Sequence, residues 1–141
     1  KKKGFNLLAE VFPPMAATGL VARKPFLEKN PAVVENVVKA LIEAEYFLLA
    51  PSGKNQTIKT LMNRLKMSDV SLAEEGYADI VKEFEPKPYP SLEGMRNMQR
   101  LMALQNPKFN ELNPTHLIDA SFLKKLEDSG FFAQLQARYK E

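Results

Sequence analysis

The sequence predicts a mainly α-helical fold with two short β-strands. Apolar residues recur at helical spacing through most of the chain after residue 25. Capping residues, prolines and glycines mark where these stretches begin and end. Only two segments, Phe5 to Glu10 and Thr18 to Arg23, have the composition of strands. Pro13-Pro14 lies between them and prevents a regular ladder at that point. We therefore expect a helical chain with two strands near its start.

The first helix is the clearest element. Asn30 is a good N-cap residue, and Pro31 follows at the first helical position, where a missing N–H is tolerated. The pattern continues to Pro51. Its apolar members are Val34, Val37, Val38, Leu41, Ile42 and Leu48. Because this face is wide and aliphatic, we expect the helix to be central to the core.

Two further helices follow. A spacing of i, i+3, i+4 and i+7 predicts one from Lys54 to Met67. The next ends near Phe84 and begins either at Ser68 or at Ser71, where Glu74 would complete a capping box. The sequence leaves these two starts open.

A proline-rich linker separates these helices from the carboxyl-terminal ones. The three prolines between Glu85 and Pro90 indicate a stiff, extended connection. Ser91 can cap a fourth helix, which ends at Asn106-Pro107. A last helix is predicted near Phe132 to Tyr139.

The stretch between Asn113 and Phe131 contains a predicted helix with both a start signal and a stop signal. Asp119 can cap its start and Gly130 can stop it. The apolar face consists of Phe122, Leu123 and Leu126.

Composition narrows the possible functions. The chain has 141 residues, of which 45% are apolar, so it can bury a core. The net charge of +3 is mild and the charges are interspersed, which does not favour nucleic-acid binding. Because there is no cysteine, disulfides, thiolate catalysis and cysteine-ligated metals are excluded. No apolar run reaches membrane-spanning length.

The residues predict no catalytic centre, metal site or cofactor. His116 is the only histidine, and no nucleophile motif or second histidine accompanies it. Histidine acts in catalysis through partners, so we interpret His116 as part of a turn before a helix.

One loop stands out as a candidate ligand contact. Ala16, Ala17, Thr18 and Gly19 form a run of small residues, which lets a ligand approach the backbone closely. Thr18 adds a hydroxyl and an N–H. From the residues alone, a tight connection between strands is the favoured interpretation.

The beginning of the chain suggests a longer protein. Lys1 is followed by two further lysines and Gly4, with neither an initiator methionine nor a signal peptide. Two strands cannot form a stable sheet alone. We expect that they pack on the helices, that their partner strands lie upstream, or that another copy supplies them.

Four segments in order resemble one family of transport proteins. They are GFNLLAE from Gly4, TGLVARKPFLEKNP from Thr18, KPYPSLEG from Lys87 and IDASFLKKLEDSGF from Ile118. Together they span nearly the whole chain. In order and spacing they resemble the carboxyl-terminal portion of the periplasmic substrate-binding proteins of ABC transporters for nitrate, sulfonate, taurine and pyrimidine precursors.

The resemblance implies a part of a two-lobe α/β fold, the type II periplasmic-binding-protein fold. Residues 1–24 would be the end of the second lobe and the hinge strand, and residues 25–141 the helical carboxyl-terminal part of the first lobe. Phe5 to Glu10 would be a late strand of the second lobe. Thr18 to Arg23 would cross the hinge.

The resemblance also implies a function. The parent protein would capture a small anionic or heterocyclic solute by lobe closure, without catalysis or cofactor, and deliver it to an ABC permease. It would be periplasmic or extracellular. In this family the ligand is held largely by the amino-terminal half, so only Thr18 and Gly19 carry over as ligand-binding candidates.

Two alternatives remain open. One is a small helical interaction module. The other is a fragment of a protein similar to the pyrimidine-forming enzyme of thiamine synthesis, which uses iron, cysteine and histidine. If the chain is a fragment, its valine-rich helix and two strands would leave apolar surface and strand edges uncovered, which predicts self-association with exchanged strands or helices.

Overall fold

The structure, a computed structural model, describes residues 11, 13–16 and 18–140. Within these residues the chain forms seven α-helices and no β-strand. The helices are α1 (Lys24–Lys29), α2 (Pro31–Leu49), α3 (Lys54–Leu65), α4 (Val70–Glu83), α5 (Leu92–Ala103), α6 (Ser121–Asp128) and α7 (Phe131–Arg138). The predicted mainly helical class is therefore confirmed.

The prediction of a strand from Thr18 to Arg23 is wrong. This segment is irregular, and its residues are exposed, with Val21 retaining 91% of its surface. Strand preference depends on packing against neighbouring strands, and the described part of the chain supplies none. The other predicted strand, Phe5 to Glu10, lies outside the described residues.

Some helices begin at the predicted capping residue and others do not. α5 begins as expected, because the Ser91 Oγ accepts a hydrogen bond from the Gly94 N–H at 3.0 Å. α4 is capped instead by Asp69, whose Oδ1 accepts from the Leu72 N–H at 3.2 Å. The N-cap of α6 is Ala120, one residue later than predicted.

Three short 3₁₀ turns connect the helices. They are Pro51–Gly53, Pro107–Glu111 and Pro114–Leu117. Each has proline in its first helical positions, where a fixed φ and a missing N–H are tolerated. Asn106 and Asn113 cap the last two through their side-chain oxygens.

The described chain divides into two compact units. The larger unit comprises Leu20–Tyr89 and residues 120–140. Its main apolar cluster joins α2, α6 and α7. The buried members are Ile42, Tyr46, Leu123, Leu126, Phe132 and Leu135. Residues far apart in sequence therefore hold the two ends of this unit together.

A second apolar cluster of the larger unit joins α3 and α4. It is built on Ile58, Ala73 and Tyr77. Leu48, near the end of α2, packs against this cluster, and its carbonyl oxygen accepts a hydrogen bond from the Tyr77 hydroxyl at 3.0 Å. α2 thus contributes to both clusters and is the central helix of this unit, as its apolar pattern predicts.

Ion pairs tie α2 to the carboxyl-terminal helices. Glu35 accepts hydrogen bonds from Lys39, at 2.8 Å, and from Lys125 on α6. Glu43 pairs with Arg138 on α7. Such exposed pairs contribute little individually, so they supplement the apolar cluster beneath them.

The smaller unit comprises the described residues up to Gly19 together with Pro90–Asp119. Its organising side chain is Gln99 on α5, whose Nε2 donates to the carbonyls of Phe109 and Leu112, both at 2.7 Å. These bonds hold the first 3₁₀ turn of this unit against the helix. Among its described residues only Gly94 is fully buried.

None of the helices in the described residues combines the length and the apolar character that crossing a membrane requires.

Candidate functional site

The loop that contains Thr18 and Gly19 lies open to solvent. Both residues are exposed. A Cβ built on Gly19 would meet no atom within 4 Å, so no contact within the described chain requires a glycine there. Among the described residues, therefore, nothing fills the space beside the Gly19 backbone.

The backbone of Pro14, Met15 and Ala16 lies against α5. A Cβ on Gly94 would lie 2.9 Å from the backbone nitrogen of Ala16 and 3.1 Å from the carbonyl carbon of Met15. Any larger residue at position 94 would push this backbone away. The Asn97 Nδ2 also donates to the Pro14 carbonyl at 2.9 Å. Gly94 and Asn97 are therefore positioning residues for the candidate loop.

Sequence reasoning did not single out these two residues. A glycine in the first turn of a helix is a possible signal of close backbone approach, and Gly94 has that signal. Asn97 has none, because an asparagine on a helix surface is equally consistent with solvation. The local signals predicted the cap at Ser91 but not the loop that packs beside it.

The described residues of the loop can bind but offer little for catalysis. Thr18 supplies a hydroxyl as a donor and an acceptor of hydrogen bonds. His116 lies in the exposed 3₁₀ turn Pro114–Leu117, with its Nε2 3.5 Å from the Asn113 Nδ2. In the part of the chain that the structure describes, no group of three or more His, Cys, Asp or Glu residues could hold a metal ion.

A cluster of hydrogen-bonded polar side chains lies at the proline-rich linker. Glu127 on α6 accepts hydrogen bonds from Lys87 and from the Tyr89 hydroxyl, the latter at 2.7 Å. The bonds from Lys87 and Tyr89 lower the pKa of Glu127. The bond to Glu127 raises the pKa of Tyr89 to about 12. This cluster fastens the linker to α6, which is a structural role.

One glutamate of α2 is affected chiefly by burial. Glu45 is half-buried, and desolvation raises its pKa. Because the cause is burial and no acidic partner contributes, the residue does not form the paired carboxylates of a general acid and base.

Comparison of the chain with known protein families, with curated proteins and with solved structures gives no match in any of the three.

Proposed function

We propose that this chain is the carboxyl-terminal part of the solute-binding component of an ABC importer. The parent protein would capture a small molecule of the nitrate, sulfonate, taurine or pyrimidine-precursor type by closure of two lobes, without catalysis. It would act in the periplasm or outside the cell and deliver its solute to the membrane permease. The observation that carries the proposal is the order and spacing of the four family-like segments along the sequence.

Two structural features support this proposal. The chain after residue 24 is helical throughout its regular structure, as expected for the closing helices of a lobe. The backbone of Pro14, Met15 and Ala16 lies against α5 at Gly94 and Asn97, while Thr18 and Gly19 are exposed. A fixed backbone that ends in an exposed small-residue loop suits contact with a bound solute.

The test uses the polypeptide with its native upstream sequence. Thermal unfolding would be measured with a panel that includes nitrate, alkyl sulfonates, taurine and pyrimidines. A solute that binds only the folded state raises the unfolding temperature, and the rise grows with the logarithm of its concentration above Kd. We expect one class to do so. If no compound of the panel changes the unfolding temperature, the proposal is wrong.

Substitutions in the loop test the two site residues. Thr18→Val removes the hydroxyl at nearly constant size, and loss of one hydrogen bond predicts binding weaker by about tenfold. Gly19→Val adds a branched side chain where a Cβ meets no atom, so folding should persist while close ligand approach is blocked. Thr60→Val, on an exposed face of α3, is the matched control and should leave binding unchanged.

A further inference from the structure

Asn97 on α5 makes two hydrogen bonds of opposite polarity. Its Nδ2 donates to the Pro14 carbonyl at 2.9 Å, and its Oδ1 accepts from the Arg100 guanidinium at 3.1 Å. Arg100 lies one helical turn after Asn97, and Pro14 precedes the candidate loop. All three residues belong to the smaller unit, as do Thr18 and Gly19. The Asn97 amide therefore links an arginine to the backbone that leads into the loop.

The two hydrogen bonds together fix the orientation of the Asn97 amide. An asparagine amide has a carbonyl oxygen on one side and an NH2 group on the other. The Pro14 carbonyl can only accept a hydrogen bond and the Arg100 guanidinium can only donate, so one orientation of the amide satisfies both. With the amide reversed, its oxygen would face the Pro14 carbonyl and its NH2 group would face the guanidinium. Arg100 thus stabilises the orientation in which Asn97 holds Pro14.

The segment that Asn97 holds has little burial of its own. Residues 13–15 are exposed, and Ala16 is only partly buried. The segment approaches α5 closely at Gly94, where a Cβ would lie 2.9 Å from the backbone nitrogen of Ala16. A contact of this kind excludes larger residues but has no direction, whereas the hydrogen bond from Asn97 has one. A segment with few buried contacts opens easily, so this hydrogen bond should strongly affect how long the backbone stays on α5.

We propose that Arg100 is a positioning residue of the candidate loop and acts through Asn97. The guanidinium keeps the Asn97 amide turned toward Pro14. The bond to Pro14 in turn keeps the backbone of Met15 and Ala16 on α5. The effect of Arg100 on solute binding rests on the proposed function, whereas its effect on the order of this backbone does not.

Nuclear magnetic resonance relaxation of backbone nitrogen-15 in the 141-residue chain tests the proposal without a solute. The order parameters of the Met15 and Ala16 amides should be close to about 0.85 in the wild-type chain, the value of a rigid backbone. Asn97→Asp keeps the size of the side chain and an acceptor for Arg100, but it removes the N–H donor to Pro14. This variant should lower both order parameters below about 0.6.

Substitutions of Arg100 test its action through Asn97. Arg100→Leu should also lower the two order parameters, but by less than Asn97→Asp, because the donor to the Pro14 carbonyl remains. Arg100→Lys retains a cationic donor and should restore the wild-type values. Arg96→Leu is the matched control, since it makes the same change one turn earlier on α5, and it should leave both values unchanged. Arg96 and Arg100 are exposed, so the fold should tolerate these changes.

Solute binding gives a second, separate measurement. The polypeptide with its native upstream sequence would be used, with whichever of nitrate, alkyl sulfonates, taurine and pyrimidines raises its unfolding temperature. Arg100→Leu should weaken binding of that compound by about three- to tenfold, and Arg96→Leu should not. If the order parameters fall as expected but none of these compounds binds the wild-type protein, the positioning role stands and the proposed function fails.

Three results would overturn the positioning role. The first is a wild-type chain in which the Met15 and Ala16 amides are already mobile. The second is an Arg100→Leu variant whose order parameters equal those of the wild type. The third is an Arg96→Leu variant that loses as much order as Arg100→Leu, because the effect would then not depend on the bond to Asn97.

Discussion

At the scale of single residues, two glycines show how backbone conformation decides the effect of a substitution. Gly130, between α6 and α7, has φ of 76°, a left-handed conformation that residues with a Cβ adopt only at a cost. Gly76 lies inside α4, and a Cβ there would meet no atom within 4 Å. Substitution by alanine should therefore change the free energy of unfolding in opposite directions at the two positions.

We expect Gly130→Ala to lower the free energy of unfolding by about 1 kcal/mol, because alanine disfavours the left-handed region. Gly76→Ala should raise the free energy of unfolding by up to about 1 kcal/mol, because alanine favours the helix. Urea unfolding followed by circular dichroism measures both. Equal effects at the two sites would contradict this account.

These residues also show what the sequence can predict. Gly130 was recognised as a helix stop because glycine at that place has one strong physical meaning. Asn30 is the N-cap residue of α2, as predicted, but its side chain makes no capping hydrogen bond, and its Nδ2 donates instead to the Phe26 carbonyl at 3.1 Å. Asp69, the cap of α4, lies beside Ser68, which has a similar capping preference. Choices between neighbours of similar preference depend on where each helix packs.

At the scale of elements, the end of α2 is fixed by a side chain from α4. The last carbonyls of a helix lack hydrogen-bond partners within the helix. The Tyr77 hydroxyl donates a hydrogen bond to one of them, the carbonyl of Leu48. Tyr77→Phe removes this bond and should lower the free energy of unfolding by about 1 kcal/mol. Tyr139→Phe is the control, because that hydroxyl lies 3.4 Å from Glu43, a carboxylate that Arg138 already binds. Its effect should stay within about 0.5 kcal/mol, and a larger loss there than at Tyr77 would argue against the capping role.

The contact between α2 and α6 should respond to acid. Hydrogen bonds from Lys125 and Lys39 lower the pKa of Glu35 from its ordinary 4.5 to about 2. A carboxylate whose pKa is lowered by folding stabilises the folded state above its unfolded pKa, and this contribution is lost as the pH falls through the folded value. We therefore expect the stabilisation from Glu35 to be complete above about pH 4.5 and to disappear between that pH and about pH 2.

Glu35→Gln tests this directly, since glutamine cannot titrate. The variant should be less stable than wild type near pH 7, and the difference should shrink as the pH falls from 4.5 to 2. Urea unfolding at several pH values measures it. Glu74→Gln, on an exposed face of α4, is the control substitution and should change the free energy of unfolding near pH 7 by no more than about 0.5 kcal/mol. A difference between Glu35→Gln and wild type that is constant over this range would show that the ion pairs do not contribute.

At the scale of the whole molecule, periodicity predicts which helices exist but not how much of each face is covered. The apolar pattern of α2 correctly predicted a central helix, yet Val37 and Leu41 remain exposed. Apolar periodicity shows which helix face could be buried. Whether that face is buried depends on which other elements pack against it. The same limit applies to Thr18 to Arg23, whose strand-like composition finds no neighbouring strand in the described chain. Gly94 and Asn97 were missed for a related reason, because their role depends on a loop that is distant in sequence.

The two compact units should differ in local stability, because they bury different amounts of apolar surface. Every fully buried apolar side chain of the described residues belongs to the larger unit, from Val34 on α2 to Leu135 on α7. In the smaller unit, α5 keeps apolar surface in water, since Leu101 and Met102 retain 52% and 41% of their surface. Few buried contacts allow a segment to open without unfolding the rest.

Hydrogen exchange measured by mass spectrometry tests this difference. Amides in the middle of α5 should exchange at least about tenfold faster than those in the middle of α2, because α5 can open locally whereas α2 opens only when both apolar clusters are lost. Leu126→Ala supplies the control, since Leu126 is almost fully buried against α2 and α7. It should accelerate exchange in α2, with a smaller effect in α5. Equal protection of α5 and α2 in the wild-type chain would mean that the smaller unit is stabilised by more than its described contacts.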